Sequence, residues 1–290
     1  MQTLNNEFIA NNWPLHEVKI EGVLQESGER IVYKVNSSEG LYVFKLSSGS
    51  KTRQQLEKDT AIFSYLKEKD FSAPRLLKTK NDENFLPFND QFLYAINFIE
   101  GSVPIANTDN YRQLGEITAR LHRLNDYSIV TDFTAPSVIE EMIEKNKQYT
   151  IGSDYEALLR ALPDFSKLPS SLIHTDIGLH NSIQKTDGEI VLVDWDDAGI
   201  GTRILDIGFP LICGFVKDNA FDIENARAYY RGYLKNADLT QQEKDHIFDA
   251  GLFYILMYSI FDGSGIDIKN WHKAQFAVQN RELIDSVISS

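Results

Sequence analysis

The N-terminal region alternates hydrophobic and polar positions with a period of about two, the spacing of a half-buried β-strand. Three such runs, at 18–24, 31–35 and 41–46, are rich in β-branched and aromatic side chains. Turn-forming residues separate the runs at 26–29 and 36–40. Consecutive short strands joined by tight turns predict an antiparallel sheet.

The spacing of the hydrophobic residues becomes helical in the next segment. The positions that recur three and four residues apart are Leu56, Asp59, Ile62, Phe63 and Leu66. This spacing predicts a helix that ends before Pro74. Two further strand-like runs follow at 75–79 and 92–100, and Gly101 interrupts the pattern after the second run.

From residue 107 onward the pattern is mainly helical, with one interruption. Residues 109–124 place hydrophobic side chains on one stripe. The interruption is 183–195, where two short strand-like runs flank Asp187-Gly188, a strong hairpin signal. Later helices are expected at about 203–217, 222–236, 241–261 and 271–287. The whole pattern predicts an α+β chain with a small lobe of sheet and one helix, and a larger helical lobe.

Composition bounds the classes of protein that fit this pattern. The chain has 290 residues, of which 42% are hydrophobic and 24% charged, as in ordinary globular proteins. The single cysteine, Cys213, excludes an intramolecular disulfide. No apolar run approaches the ~20 residues of a membrane-spanning helix, and residues 1–12 lack the features of a signal peptide. We therefore expect a cytoplasmic protein without a membrane partner.

The charge balance is strongly acidic. The formal net charge is −13, from 42 acidic and 29 basic residues. No block of Lys and Arg offers the basic patch of a nucleic-acid binder, so no nucleic-acid partner is expected. The acidity suits a cationic substrate, and it suits solubility alone equally well. Bulk charge does not choose between the two.

Residues 172–197 carry the clearest chemistry. Asn181 follows Asp176 by five positions, and Asp194 stands at the end of the predicted hairpin. Phosphoryl transfer needs an aligned hydroxyl, a divalent metal and charge compensation. An Asp can accept the hydroxyl proton, and amide and carboxylate oxygens suit Mg²⁺. Either group alone could be a turn, but the joint His-x-Asp-x4-Asn spacing before the hairpin matches the catalytic loop of kinases.

Four segments of the chain resemble the aminoglycoside phosphotransferase/choline kinase family of small-molecule kinases. They are INFIEG at 96–101, LGEITARLHRL at 114–124, IHTDIGLHN at 173–181 and VLVDWDDAGIGTRILDIGF at 191–209. The resemblance implies a protein-kinase-like fold with a nucleotide-binding lobe at 1–97, a hinge at 98–101 and a helical lobe at 102–290. It also implies transfer of the γ-phosphoryl group of ATP or GTP, with Mg²⁺, to a hydroxyl of a small molecule, cationic in some members.

The resemblance assigns roles to the matching residues of this chain. Asp176 would be the catalytic base, and Asn181 and Asp194 would bind the metal. His174 and Asp206 would hold the catalytic loop in place. The backbone of the hinge, at Phe98 and Ile99, would meet the nucleotide base.

The N-terminal lobe would supply the contacts to the phosphates. Lys45 lies on the apolar face of the third strand, where a buried charge is costly unless it is paired. Without the downstream motif, a lysine whose ammonium simply reaches water would explain this position. The resemblance makes Lys45 the phosphate-contacting lysine, and Asp59 on the following helix its expected partner, with Glu57 as the alternative. The turn at Ser27 and Gly28 would cover the phosphates, although the chain has no G-x-G-x-x-G motif there.

Departures from the family pattern leave the acceptor open. Thr175 stands where the family usually has Gly, and Thr202-Arg203 stands where Asp-Pro is common. The C-terminal helices are rich in aromatic residues, which could line a pocket for an ammonium group. The candidates for the acidic part of that pocket are Asp196, Asp197 and Asp262. The acceptor, the choice of ATP or GTP and the oligomeric state stay open.

Three other classes of protein compete with this hypothesis. The first is a nucleotide-binding pseudokinase that acts as a partner-binding module. The second is a metal-dependent hydrolase built on His174, Asp176, His180 and Asp194, whose histidine spacing matches no familiar helical ligand pair. The third is a protein kinase, for which we find no A-P-E-type segment. Intact motif residues count against the first class, the histidine spacing against the second and the missing segment against the third, so a small-molecule kinase is favoured.

Overall fold

The computed structural model describes residues 3–28, 30–124, 135–149, 152–260 and 267–288. The chain divides into two compact units. The N-terminal unit comprises residues 1–102 and 183–196, and the C-terminal unit comprises residues 103–182 and 197–290. The division by role into 1–97, 98–101 and 102–290 stays a prediction.

The N-terminal unit is built on a six-stranded antiparallel sheet. The predicted meander is confirmed by β1 (Lys19–Ser27), β2 (Arg30–Ser37) and β3 (Gly40–Leu46). The sheet continues with β4 (Leu76–Leu77), β5 (Phe85–Phe88) and β6 (Gln91–Asn97). Strand β6 pairs with β3, β4 and β5 and is therefore central to the sheet.

Two helices accompany the sheet. Helix α1 (Asn6–Asn12) was not predicted, because its seven residues carry few hydrophobic positions. Just after it, the buried Trp13 ring meets the Phe44 ring edge-on at 5.0 Å, which ties the N-terminus to the core. Helix α2 (Arg53–Glu68) starts at a capping box between Thr52 and Gln55 and buries the predicted hydrophobic stripe.

Two strand predictions need correction. The run at 75–79 forms only the two-residue β4, and the run at 92–100 ends at Asn97. At that end the Asn97 N–H donates to the Arg75 carbonyl and the Phe98 N–H to the Leu41 carbonyl, and the strand pairing goes no further. Strand β5 was missed, since Pro87 lacks an N–H and weakens the strand signal, although an edge position tolerates it.

The C-terminal unit is mainly helical. Its helices are α3 (Thr108–His122), α4 (Ala135–Tyr149), α5 (Ser153–Ala161), α6 (Ile204–Phe209), α7 (Ile223–Leu234), α8 (Gln241–Tyr258), α9 (Ile268–Gln279) and α10 (Arg281–Asp285). Helices α3, α7 and α8 match the predicted segments closely. Among the described residues, no helix has the length and apolar character needed to cross a membrane.

The prediction of a single helix at 203–217 is wrong. Helix α6 changes into a π-helical turn at Pro210–Gly214, where the Phe215 N–H donates to the Pro210 carbonyl at 3.0 Å. Pro210 has no N–H to continue an α-helical ladder. The chain then forms a small hairpin of β11 (Val216–Lys217) and β12 (Ala220–Phe221).

Three further differences concern the C-terminal half. Strands β7 (Ser170–Ile173) and β10 (Gly199–Thr202) pair with each other, although only one interruption of the helices was expected. That interruption is confirmed as the hairpin β8 (Ser182–Gln184) and β9 (Ile190–Leu192). The helix expected at 271–287 is divided at Asn280 into α9 and α10.

Candidate active site

The segment after β7 is fixed by a buried carboxylate. Asp206, on α6, accepts hydrogen bonds from the backbone N–H groups of His174 and Thr175, both at 2.7 Å. Its two oxygens thus accept from two consecutive N–H groups. These hydrogen bonds give the buried Asp206 carboxylate the partners that a buried charge needs. His174 and Asp206 are the residues expected to hold the loop. They are in contact at its first turn, where the backbone N–H of His174 donates to the Asp206 carboxylate.

His122 extends this network to two helices. Its Nε2 lies 3.1 Å from Asp206 Oδ2, and its Nδ1 lies 2.9 Å from the Tyr233 hydroxyl. The side chains of His122 and Asp206 are fully buried. His122 was not predicted to have a role, although it stands near the end of the segment 114–124 that carried the family resemblance. The network links the ends of α3 and α7 to the start of the loop.

Asp176 follows, with each carboxylate oxygen engaged. His180 Nε2 lies 3.1 Å from Oδ1, and Asn181 Nδ2 donates to Oδ2 at 2.6 Å. Burial would raise the pKa of Asp176, but the hydrogen bond and charge of His180, with the Asn181 hydrogen bond, leave its pKa lowered. Asp176 is therefore a carboxylate at neutral pH, and it is also partly exposed.

Asn181 is oriented by the same contacts. Its Nδ2 donates to both the side chain and the backbone oxygen of Asp176, at 2.6 and 3.1 Å. This use of the amide nitrogen leaves Oδ1 as the atom that the predicted metal role would use, and amide oxygen is a donor that Mg²⁺ accepts. In the part of the chain that the structure describes, no group of three or more His, Cys, Asp or Glu side chains could hold a metal ion.

In the N-terminal unit, Lys45 lies between two carboxylates. Its Nζ is 2.8 Å from Asp194 Oδ1 and 2.8 Å from Asp196 Oδ2. The Tyr94 hydroxyl donates to the other oxygen of Asp196 at 2.5 Å. Burial opposes the charge on Lys45, but the facing negative groups outweigh it and raise the pKa of Lys45 well above its ordinary value. Lys45 is therefore a stable cation.

The predicted partners of Lys45 are wrong. Among the ion pairs of the described residues, Lys45 pairs with Asp194 and Asp196, not with Asp59 or Glu57. Asp59 is instead bound by Lys51, which lies just before α2. Glu57 is exposed and lies 4.0 Å from Arg53. The sequence pattern could not foresee this, because Lys51 reaches Asp59 across the first two turns of the helix.

Asp196 lies in the same cluster. Its carboxylate is bound by Lys45 and Tyr94 and is 19% exposed, and its contact with an acceptor stays a prediction. Asp194 differs: it is 48% exposed and has a φ of +63°. Between them the buried Trp195 donates to the Leu192 carbonyl at 3.0 Å and contacts the Phe71 ring. The buried Trp195 and Asp196 anchor this segment, which leaves the Asp194 carboxylate accessible.

Backbone hydrogen bonds lie at the start of the predicted hinge and just after it, where the Ser102 N–H donates to the Gln184 carbonyl at 3.1 Å. The Phe98 N–H donates to the Leu41 carbonyl at 2.9 Å, and the partly buried Ile99 follows it. Gly101 has a φ of +153°, and a Cβ there would lie 2.2 Å from the Gln184 carbonyl oxygen. Only glycine permits this close approach.

The predicted phosphate-covering turn joins β1 to β2. Ser27 pairs with Arg30 in the strand register, and Gly28 has a φ of +58°, as a tight hairpin turn requires. Both Ser27 and Gly28 are exposed. The turn therefore presents backbone groups and a hydroxyl to solvent.

Aromatic side chains lie beside the predicted catalytic loop in the C-terminal unit. The Phe209 ring is 6.4 Å from the His180 ring and 6.1 Å from the Tyr258 ring. Burial, with the charges of Asp176 and Asp197, raises the pKa of Tyr258. Of the acidic acceptor candidates, Asp197 therefore lies in this region, whereas Asp262 lies outside the described residues.

The sequence as a whole identifies the family. Residues 23–241 match the model of a phosphotransferase enzyme family. The chain belongs to this family, as its motifs predicted. The predicted enzyme class, a small-molecule phosphotransferase, is confirmed with it.

Individual relatives are distant. A homoserine kinase of Rhodopseudomonas palustris (strain BisB18) is 25% identical over 235 residues, which cover 77% of this chain and 72% of that protein. A homoserine kinase of Bradyrhizobium sp. is 20% identical over 234 residues, covering 76% of this chain and 71% of that protein.

Solved structures share the fold. An amicoumacin kinase in complex with AMP-PNP and Ca²⁺ has a TM-score of 0.70 at 18% identity, covering 94% of this chain and 90% of that chain. A microcompartment-associated aminopropanol kinase has a TM-score of 0.65 at 13% identity, covering 98% of this chain and 96% of that chain. The predicted protein-kinase-like α+β fold is confirmed.

Proposed function

We propose that the chain transfers the γ-phosphoryl group of ATP to a hydroxyl of a small amino alcohol. The observation that supports this most is the Asp176 carboxylate, held by His180 and Asn181 at 3.1 and 2.6 Å in a loop that Asp206 fixes. A carboxylate in such a loop can orient a hydroxyl and accept its proton. Its lowered pKa keeps it in the form that accepts the proton.

Asp176 would take the acceptor proton as the hydroxyl oxygen bonds to phosphorus and the bond to the leaving diphosphate breaks. The Asn181 Oδ1 and the Asp194 carboxylate would hold Mg²⁺, which when bound neutralises charge on the phosphate oxygens. Lys45 would contact the phosphates as a permanent cation. The hinge backbone at Phe98 and Ile99 would bind the nucleotide base, and the Ser27–Gly28 turn would cover the phosphates.

The acceptor is proposed from the surroundings of Asp176. The partly exposed ring of Tyr258, with the carboxylate of Asp197 nearby, offers an ammonium an aromatic face and negative charge. The homoserine kinase relatives, and structural neighbours named aminopropanol kinase and ethanolamine kinase, are named for small molecules that carry both an amine and a hydroxyl. A compact acceptor that carries both an amine and a hydroxyl fits these features.

The test is a coupled nucleotide-turnover assay with Mg²⁺ against a panel of such acceptors. We expect turnover that depends on the acceptor and falls by at least ~10²-fold in Asp176→Asn, the loss typical of a general base. Nucleotide affinity should stay unchanged, because the substitution removes no phosphate contact. Asp187→Asn, in the exposed β8–β9 turn, is the matched control and should keep full activity.

Three outcomes would contradict the proposal. Wild-type turnover in Asp176→Asn would remove Asp176 as the base. Binding of Mg-ATP without turnover on any acceptor would favour a nucleotide-binding module that acts on partners. Absence of Mg-ATP binding by calorimetry would reject the kinase function itself.

A further inference from the structure

The lysine and carboxylate groups of the N-terminal unit form two linked sets. In one set, Lys45 meets Asp194 and Asp196, and Tyr94 donates to Asp196. In the other set, Lys51 binds the Asp59 carboxylate and donates to the backbone carbonyl of Asp196 at 2.7 Å. Asp196 is shared, through its side chain in the first set and its backbone in the second.

We propose that Asp196 is the residue that positions Lys45, and that Lys51 is a second positioning residue, which joins Asp59 of α2 to the segment carrying Asp194. This inference rests on the proposed function, because both residues would position groups that take part in the proposed phosphoryl transfer. It assigns to Asp196 the partnership that the sequence predicted for Asp59. It gives Asp59 a different cation.

The two carboxylates at Lys45 differ in how readily they can leave it. Asp194 is 48% exposed, so that it can turn toward a metal and stay solvated. Asp196 is 19% exposed and also accepts the Tyr94 hydroxyl. Removing Asp196 would leave a buried lysine and a buried hydroxyl without this partner, which is costly. Asp196 is therefore the lasting partner of Lys45, and Asp194 the exchangeable one.

Lys51 occupies a junction of three chain segments. It belongs to the loop between β3 and α2, its ammonium binds Asp59 on α2, and the same ammonium donates to the Asp196 carbonyl. The side chains of Lys51 and Asp59 are 16% and 14% exposed, so water screens the pair weakly. A charge-assisted hydrogen bond to a backbone carbonyl fixes the main chain two residues from Asp194. Lys51 can thus orient Asp194 without touching a substrate.

Double-mutant cycles separate these partnerships. The single variants are Lys45→Met, Asp196→Asn, Lys51→Met and Asp59→Asn, combined as 45/196, 51/59 and 45/59. We expect non-additive effects on kcat/KM for ATP in the 45/196 and 51/59 pairs, and additive effects in the 45/59 pair. Each single variant should lower kcat/KM about 10-fold or more. Coupling of Lys45 with Asp59, and none with Asp196, would overturn the proposal.

A conservative variant distinguishes positioning from folding. Lys51→Arg keeps the cation and should recover most of the kcat/KM lost in Lys51→Met, while both variants stay folded by circular dichroism. Lys67→Met, on the exposed face of α2, is the matched control and should behave as wild type. Unchanged kcat and unchanged KM for ATP in a folded Lys51→Met would reject the positioning role.

The same cycles, measured on the free energy of unfolding in urea, test the pairing without any turnover. Coupling there for 45/196 and 51/59 is expected whatever the reaction proves to be. If the wild type neither binds nor turns over nucleotide, the proposed function fails, and with it the positioning role. If the wild type is active but the unfolding cycles show 45/59 coupling, only this inference fails.

Discussion

At the scale of single residues, two positions of the candidate site have backbone angles that few residue types adopt. Thr175 has a φ of +72° and Asp194 a φ of +63°. Asp tolerates the left-handed region, because its short polar side chain can bond locally, but a β-branched residue there is strained. This accounts for the glycine usual at the position of Thr175 in the family. The strain at Thr175 is held by its N–H bond to Asp206.

Thr175→Gly should therefore stabilise the protein slightly. Relief of a strained φ is worth about 1–3 kcal/mol, and the extra freedom of glycine in the unfolded chain returns about 0.5–1 kcal/mol of this. The threonine hydroxyl that the substitution removes makes only a weak hydrogen bond, since Thr175 Oγ1 lies 3.4 Å from the Asp197 carbonyl. Urea unfolding should show a gain of about 1 kcal/mol.

The control for this variant is Thr202→Gly in β10, where φ is not positive. It should lose about 0.5–1 kcal/mol, as glycine does within a strand. A loss of similar size in Thr175→Gly would mean that Thr175 carries no strain.

At the scale of elements, helices α3 and α7 approach each other through glycines. A Cβ at Gly115 would lie 2.0 Å from the Tyr229 carbonyl oxygen, and one at Gly232 would lie 2.1 Å from the Arg112 carbonyl oxygen. Both obstacles are backbone atoms of the facing helix, which cannot rotate away. This close approach matters to the site because α3 carries His122 and α7 carries Tyr233, which bond to each other.

Gly115→Ala should accordingly destabilise the protein by about 3 kcal/mol, the upper part of the range for overpacking. The added methyl forces the two helices apart. Urea unfolding measures the loss. We also expect reduced turnover in the fraction that stays folded, since His122 supports Asp206. Gly22→Ala in β1 meets nothing within 4 Å and is the control, expected within about 0.5 kcal/mol of wild type. Equal stability of the two variants would contradict this packing.

Sequence periodicity predicted those elements whose own residues show a regular pattern of buried and exposed positions. The β1–β3 meander and helices α2 and α3 have strong alternation or helical spacing, and they were found where expected. Short β7 and β10 exist only because they pair across 25 or more intervening residues. No local pattern marks such pairs. The π-helical turn after α6 likewise depends on a proline whose effect on the helix the spacing did not reveal.

The candidate site divides in the same way. Asp176 and Asn181 were predicted from motif spacing, because a short loop fixes their separation whatever surrounds it, and Asp206 was predicted from the resemblance of its segment to the family. The partner of Lys45 was not, because an ion pair depends on which side chains tertiary structure brings within reach. Lys51 carried no motif, and His122 looked like any helical histidine. The roles of Lys51 and His122 depend on contacts between segments that are distant in the sequence.

At the scale of the whole molecule, binding of Mg-ATP should be visible as stability. A ligand that binds only the folded protein raises the free energy of unfolding by about 2.7 kcal/mol at 100 times its Kd. We expect Mg-ATP to raise the thermal midpoint in proportion to the logarithm of its concentration. Chelation of the metal with EDTA should remove most of this rise, because the accessible Asp194 carboxylate would then have no metal ion to share with the phosphates.

Two variants test whether this rise in thermal midpoint depends on the metal-binding residue or on the proposed catalytic base. Asp194→Ala should lose most of the rise with Mg-ATP, since it removes the exposed carboxylate that we assign to the metal. Asp176→Asn should keep it, since Asp176 is assigned to the acceptor hydroxyl. An equal rise for ATP with and without Mg²⁺, or an undiminished rise in Asp194→Ala, would contradict the metal role of Asp194. Loss of the rise in Asp176→Asn would instead mean that Asp176 helps to hold the nucleotide.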